Sequence, residues 1–298
     1  MKNGRLYFVL ILCFGIGLIA ALSVQEKKTE MDSTLAPFWQ LIGKPVQLGS
    51  KALTKVIPVS ALDEKEYGDA IRSRYESGAD KSDPRYIYLN TLIKDLTKTK
   101  SKPFDYTVFL MDSGVPNAFA MPGGVLFVTT GLLQILESES ELVSILGHEI
   151  GHVEKSHCLE NVRFQLLTQK IGSETLGKLA DLAFGIIVKS SYNKNQEEEA
   201  DEYAFSLLLS SDYHPAGEGK AFEKLAESHL GKETRSANII TEYFQSHPHT
   251  VLRKERYQEK AKAWRASNSG VRKYTGKANL ELQKTYSENQ IENEWSAE

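Results

Sequence analysis

The stretch that most constrains this chain is L-G-H-E-I-G-H at residues 146–152. His148 and His152 stand four apart, so on a helix they share one face and both imidazoles can reach one metal ion. Glu149 lies one position round from His148, beside the ligands rather than among them. That is where a carboxylate must stand to take a proton from a water on the metal. Two histidines also fall this way on ordinary surface helices, so the surroundings decide. Ser138 and Glu141 form an S-x-x-E capping pattern that starts a helix before the motif. Leu142, Val143, Ile145, Leu146, Ile150 and Val153 supply apolar positions for a buried stripe. Gly147 and Gly151 each weaken a helix by about 1 kcal/mol relative to Ala. A helix carrying both is expected to be crowded, with another backbone approaching it closely.

Catalytic zinc sites typically use three protein ligands and one water. The candidate for the third lies in N-K-N-Q-E-E-E-A-D at residues 193–201. Asn193 and Gln196 make a helix cap, after which Glu197 and Asp201 face the same way. Glu197 is expected to bind the metal, and Asp201 to hold the outer nitrogen of a ligand imidazole. Three glutamates in a row otherwise read as a solvated helix start, favoured by the helix dipole. The upstream motif tips the balance. Cys158 is turned away from the ligand face and reads as a packed thiol.

Strand character appears at Tyr106–Met111, Asn117–Met121 and Val125–Thr129, the last two joined by Pro122-Gly123-Gly124. Asn117, Ala118, Phe119 and Ala120 form a short segment ending before a proline, which assigns them to a sheet edge. An open edge can pair with an extended peptide, although a plain core hairpin fits the same residues. Helices are expected at 61–76, 83–97, 197–210 and 216–229. The apolar stretch Leu176 to Val188 reads as a core helix or a flap, too short to cross a bilayer. Residues 261–298 are charged, with few large apolar side chains, and read as a tail that adds little to the core.

At the other end, Lys2 and Arg5 precede an apolar run from Leu6 to Leu22. A cleaved secretory signal over residues 1–23 is favoured over an uncleaved anchor, with a lead-in at 24–60 and the main domain at 61–260. Either way the N-terminus directs the chain out of the cytosol and offers a route to membrane association. The only cysteines are Cys13 and Cys158, so no disulfide framework is expected. A net charge of −3, with no basic run among aromatics, argues against nucleic-acid partners.

With these motifs in order, the chain resembles the M48 peptidases, zinc metallopeptidases of the gluzincin type. The resemblance rests on H-E-I-G-H at 148–152 and E-E-E-A-D at 197–201, which matches ExxxD. N-A-F-A-M-P-G-G at 117–124 with T-G-L-L at 130–133, and S-H-P at 246–248 with Arg253, extend it. Asn193-Lys194 replaces a common Ser-Arg, and His249 stands where the family prefers a small residue. The resemblance implies an α+β, mostly helical, zincin-like domain whose small sheet sets an edge strand beside the zinc. It implies one Zn²⁺ per chain on His148, His152 and Glu197, Glu149 as the base, and Asp201, His247 and Arg253 in support. His247 would either cap the metal or stabilise an oxyanion. The periplasmic quality-control branch fits best, implying an endopeptidase that uses a Glu-activated water on unfolded or misassembled envelope proteins. The rival is a chaperone-like binding protein with a latched or structural zinc site.

Overall fold

In the computed structural model of the chain, the described residues are 61–168, 176–189, 191–230, 243–248 and 250–296. The leader at 1–23, the lead-in at 24–60 and His249 lie outside them. Helices α1 (Ala61–Glu76) and α2 (Pro84–Leu96) fall where the pattern places them. Asp83 caps α2 by accepting the Arg85 N–H, and Pro84 occupies the first turn, where a missing N–H costs nothing.

A three-stranded sheet follows: β1 (Thr107–Met111), β2 (Ala118–Met121) and β3 (Val125–Thr129). Its order is β1-β3-β2, with β1 parallel to β3 and β2 antiparallel to it. The turn between β2 and β3 holds Gly123 and Gly124 at φ of 79° and 86°, where a side chain would be strained. Strand β2 is an edge, as expected. The outer side of β1 is occupied by the Asn90 side chain, which donates to Val108 O (2.8 Å) and accepts from Val108 N (3.0 Å). Asn117 O accepts from Thr129 N, so Phe119 and Met121 also turn their main-chain groups to β3. Ala118 and Ala120 therefore direct theirs to the outer side.

The remaining helices are α3 (Thr130–Ile135), the motif helix α4 (Glu139–Glu154), α5 (His157–Thr168) and α6 (Leu176–Lys189). After them come α7 (Lys194–Ser210), α8 (Ala216–Leu230), α9 (Tyr243–Ser246) and α10 (Thr250–Ser267). Helix α4 is central, buried from Glu139 through Val153 and packed on β2, α7 and α8. Its buried Leu and Ile side chains each contribute about 1.5–3 kcal/mol. The two glycines explain how α7 comes so close. A Cβ on Gly147 would lie 3.2 Å from Ala204 Cα, and one on Gly151 would lie 3.0 Å from Ala200 Cα. Small residues face small residues along this seam, and Glu197 and Asp201 ride on the same helix. Helix α6 is a core helix over the aromatic face of the sheet, with Phe184 edge-on to Phe119 and Phe127 at 5.4 Å. No helix among the described residues is long and apolar enough to cross a membrane.

The chain beyond residue 260 corrects the expectation of a charged tail that adds little to the core. Helix α10 runs on to Ser267, strands β4 (Lys273–Tyr274) and β5 (Trp295–Ser296) pair, and α11 (Lys277–Leu282) lies between them. Tyr274 is fully buried, in an aromatic cluster with Tyr286 and Trp295. More telling, Gly276 O and Thr275 O accept the first N–H groups of the motif helix, from Glu139 (2.9 Å) and Ser140 (3.0 Å). The Glu139 carboxyl group accepts the Tyr286 N–H in return. The expectation failed because this segment docks mainly by main-chain hydrogen bonds and three aromatics, which a count of apolar residues underrates.

Candidate metal centre

Helix α4 presents His148 and His152 on one face, with their Nε2 atoms 3.0 Å apart. Across the glycine–alanine seam, Asn193 caps α7 by accepting the Asn195 and Gln196 N–H groups, and Gln196 completes the capping box. That start sets the register. Glu197 points into the cluster, 3.7 Å from His148 Nε2 and 3.5 Å from His152 Nε2. His247, just after α9, joins with Nδ1 3.1 Å from His148 Nε2 and 3.0 Å from Glu197 Oε1. The four donor atoms all lie within 4.8 Å of one another.

Asp201 Oδ1 meets the outer nitrogen of His148, Nδ1, at 2.9 Å. Arg253 on α10 forks onto Asp201 (2.5 and 2.9 Å) and also donates to Glu197 Oε2 (2.5 Å). Burial holds the His148 and His152 imidazoles well below the usual range, so both are neutral and keep a lone pair for a metal. Burial alone would raise the Glu197 carboxyl. His247 and Arg253 outweigh it and hold the group well below the usual carboxylate range.

Glu149 is fully buried, and burial pushes its carboxyl up to about 7. Neither of its oxygens has a hydrogen-bond partner among the described residues, although the Ala120 main chain points toward it. His247 Nε2 is 3.5 Å from Glu149 Oε1. Asn117, Ala118, Phe119 and Ala120 are all buried, with β2 packed on the motif helix. Cys158 is the expected packed thiol, taking the Tyr192 O–H at 3.5 Å.

The model of peptidase family M48 matches residues 88–261, more than half of the chain. The chain belongs to peptidase family M48. It is 29% identical over 173 residues to metalloprotease LoiP of Escherichia coli strain K12, covering 54% of this chain and 64% of that protein. It is 28% identical over 147 residues to mitochondrial metalloendopeptidase OMA1 of Arabidopsis thaliana, covering 48% and 29%. A third relative, the beta-barrel assembly-enhancing protease of E. coli strain K12, is 26% identical over 222 residues, covering 63% and 45%. The chain spans less than two thirds of the length of each. M48 metalloproteases use zinc, and the donors present fit it. Ligand atoms about 2.0–2.1 Å from a tetrahedral ion stand about 3.3 Å from one another; five of the contacts among these residues span 3.0–3.7 Å, within an outer limit of 4.8 Å for the group.

Three residues of this M48 site escaped the reading of the sequence. His157 Nδ1 lies 3.0 Å from His152 Nδ1, and its Nε2 lies 3.1 Å from Glu199 Oε2. Tyr192 stacks on the His152 ring, centroids 3.7 Å apart at 16°. No helical spacing finds His157, because the helix breaks at Ser156, whose φ is 64°, and the chain turns back.

Proposed function

We propose that this chain is a zinc-dependent metalloendopeptidase in which His148, His152 and Glu197 hold the ion and Glu149 is the catalytic base. The observation that carries the reading is Glu149. A buried carboxylate with both oxygens unsatisfied, set beside four converging donors, is ready for a ligand that brings its own protons. Zinc, when bound, supplies a Lewis acid for the scissile carbonyl and acidifies a water. Glu149 takes the proton of the attacking water and returns it to the leaving nitrogen. Asp201 accepts from His148 Nδ1 and fixes its tautomer, while the Arg253 fork keeps Asp201 and Glu197 in place. Ala118 and Ala120, with main-chain groups turned to the outer side of β2, pair with an extended substrate.

His247 fills the fourth donor position and acts as a cap at rest, shutting the site until substrate arrives. The rival assignment, an oxyanion donor, places the same imidazole over the reacting carbonyl. The substrates proposed are unfolded or misassembled envelope proteins, and the chain works in the periplasm or at a membrane facing it. Support comes from the charged and apolar N-terminal stretch and from a relative whose name ties it to beta-barrel assembly. The closed arrangement at His247 also suits a chaperone-like protein with a latched zinc site. One experiment separates the two. Purified protein should carry about one zinc per chain and cleave casein, and a chelator should abolish cleavage. Stoichiometric zinc without any cleavage, in both the parent and His247→Ala, would favour the binding protein.

A further inference from the structure

We infer that His157 is the positioning residue for the metal ligand His152, with Glu199 anchoring it from behind. The inference rests on the zinc reading above. Each ligand histidine turns one ring nitrogen to the cluster and one away. The outer nitrogen of His148 meets the Asp201 carboxylate. Among the described residues the outer nitrogen of His152 meets no carboxylate. It faces a second imidazole, His157 Nδ1, at 3.0 Å.

Two ring nitrogens at that distance share a single proton, and ligation decides which one carries it. When His152 Nε2 gives its lone pair to a metal, the proton of the neutral ring sits on Nδ1 and is donated to His157 Nδ1. His157 then has its own hydrogen on Nε2, which points at Glu199 Oε2, 3.1 Å away. Every donor in this arrangement meets an acceptor. With a metal on His152 Nε2, the opposite direction fails twice. It puts a hydrogen on His152 Nε2, inside the donor cluster, and sets a His157 lone pair against a carboxylate. The row Glu199–His157–His152 therefore selects the ligating tautomer of His152, as Asp201 does for His148 in one step.

The surroundings hold the row in place. His157 is 3% exposed. Lys102 Nζ grips the turn before it, donating to Val153 O (2.6 Å) and Ser156 Oγ (2.7 Å). Tyr192 fixes the His152 ring from one face while its hydroxyl reaches Cys158, the residue after His157. A histidine kept only for packing would not need both nitrogens matched in line. Glu199 is half exposed, on an open pocket of about 520 Å³ shared with Lys155, Tyr203 and Arg256, so its share of the effect is the smaller.

The test is zinc affinity, measured by competition with a chromophoric chelator. Circular dichroism and melting temperature check each variant's fold. His157→Leu should bind zinc about 10–100-fold more weakly than the parent. His157→Gln, whose side-chain oxygen can still accept from His152 Nδ1, should recover most of that loss. Glu199→Gln should fall between the parent and His157→Leu. Nitrogen NMR of the zinc-loaded parent should find His157 protonated at Nε2 and accepting at Nδ1, a preference that weakens in Glu199→Gln even if the His157 variants do not fold. Parent-like zinc binding by His157→Leu, equal losses in the Leu and Gln variants, or a His157 tautomer indifferent to Glu199 would each overturn the inference. A parent that takes up no zinc would overturn the metallopeptidase reading as well, and its own titration tells the two failures apart.

Discussion

The two ends of the motif helix are built for different work. The C-terminal half of α4 carries His148, Glu149 and His152, and is surrounded by charged and imidazole groups held in fixed pairs. The N-terminal end carries no candidate chemistry. It is held by the Ser138 side chain on the Glu141 N–H and by Thr275 and Gly276 carbonyls from far along the chain. One end gathers the candidate metal-ligating groups, and the other keeps the helix in register. The lesson is that function and stability in this helix should be separable by position, about ten residues apart.

The largest expected effect lies at the reactive end. Glu149→Gln should retain zinc and lose casein cleavage by on the order of 10²–10⁴-fold, because glutamine cannot accept the proton. Equal turnover in mutant and parent would remove Glu149 as the base. At the supporting end, Tyr274→Ala should cost about 3 kcal/mol of stability, seen as a lower denaturant midpoint, while the folded protein keeps the parent's zinc affinity. A large loss of zinc affinity in that variant would mean that the two ends are coupled.

Between these sits Asp201→Asn, which should weaken zinc binding or turnover by about 10–100-fold without a comparable loss of stability. Measured by the same chelator competition, Glu197→Ala should lose the metal and Glu198→Ala should not. His247→Ala should raise basal cleavage by about a few-fold if the imidazole caps the site, whereas an oxyanion donor would lower it by on the order of 10²–10³-fold.

A pH dependence is expected at the capped end. Burial pushes the Glu139 carboxyl up to about 8, above its ordinary value of 4.5. The folded state thus holds a proton that the unfolded chain gives up. Glu139 adds stability at acidic pH that is lost as pH rises from about 4.5 through about 8. Melting temperatures across that window should fall less steeply in Glu139→Gln. An unchanged slope would place the titration elsewhere.

The longest described helix, α10 (Thr250–Ser267), was not expected, whereas the gathering of His148, His152, Glu149, Glu197 and Asp201, the three strands and most of the long helices were legible from the residues alone. Each depends on neighbours within one or two turns, through periodicity, capping and turn chemistry. Even the close approach at Gly147 and Gly151 could be anticipated, since a helix seldom carries two such costs without a backbone pressed against it. His247 and Arg253 were assigned by likeness to a family, since a lone histidine and a lone arginine carry no periodic signal.

What the sequence by itself determined is the chemistry available: two imidazoles and a carboxylate on one helix, two more carboxylates on another, and the small residues that let the helices meet. What only the tertiary structure decided is which partners complete that chemistry. Glu199 comes to face His157, Arg253 grips two carboxylates, and Thr275 and Gly276 close a helix that begins more than a hundred residues earlier. These contacts join segments far apart along the chain. They form when long loops close around a common core, and no local pattern of residues records where such closures fall.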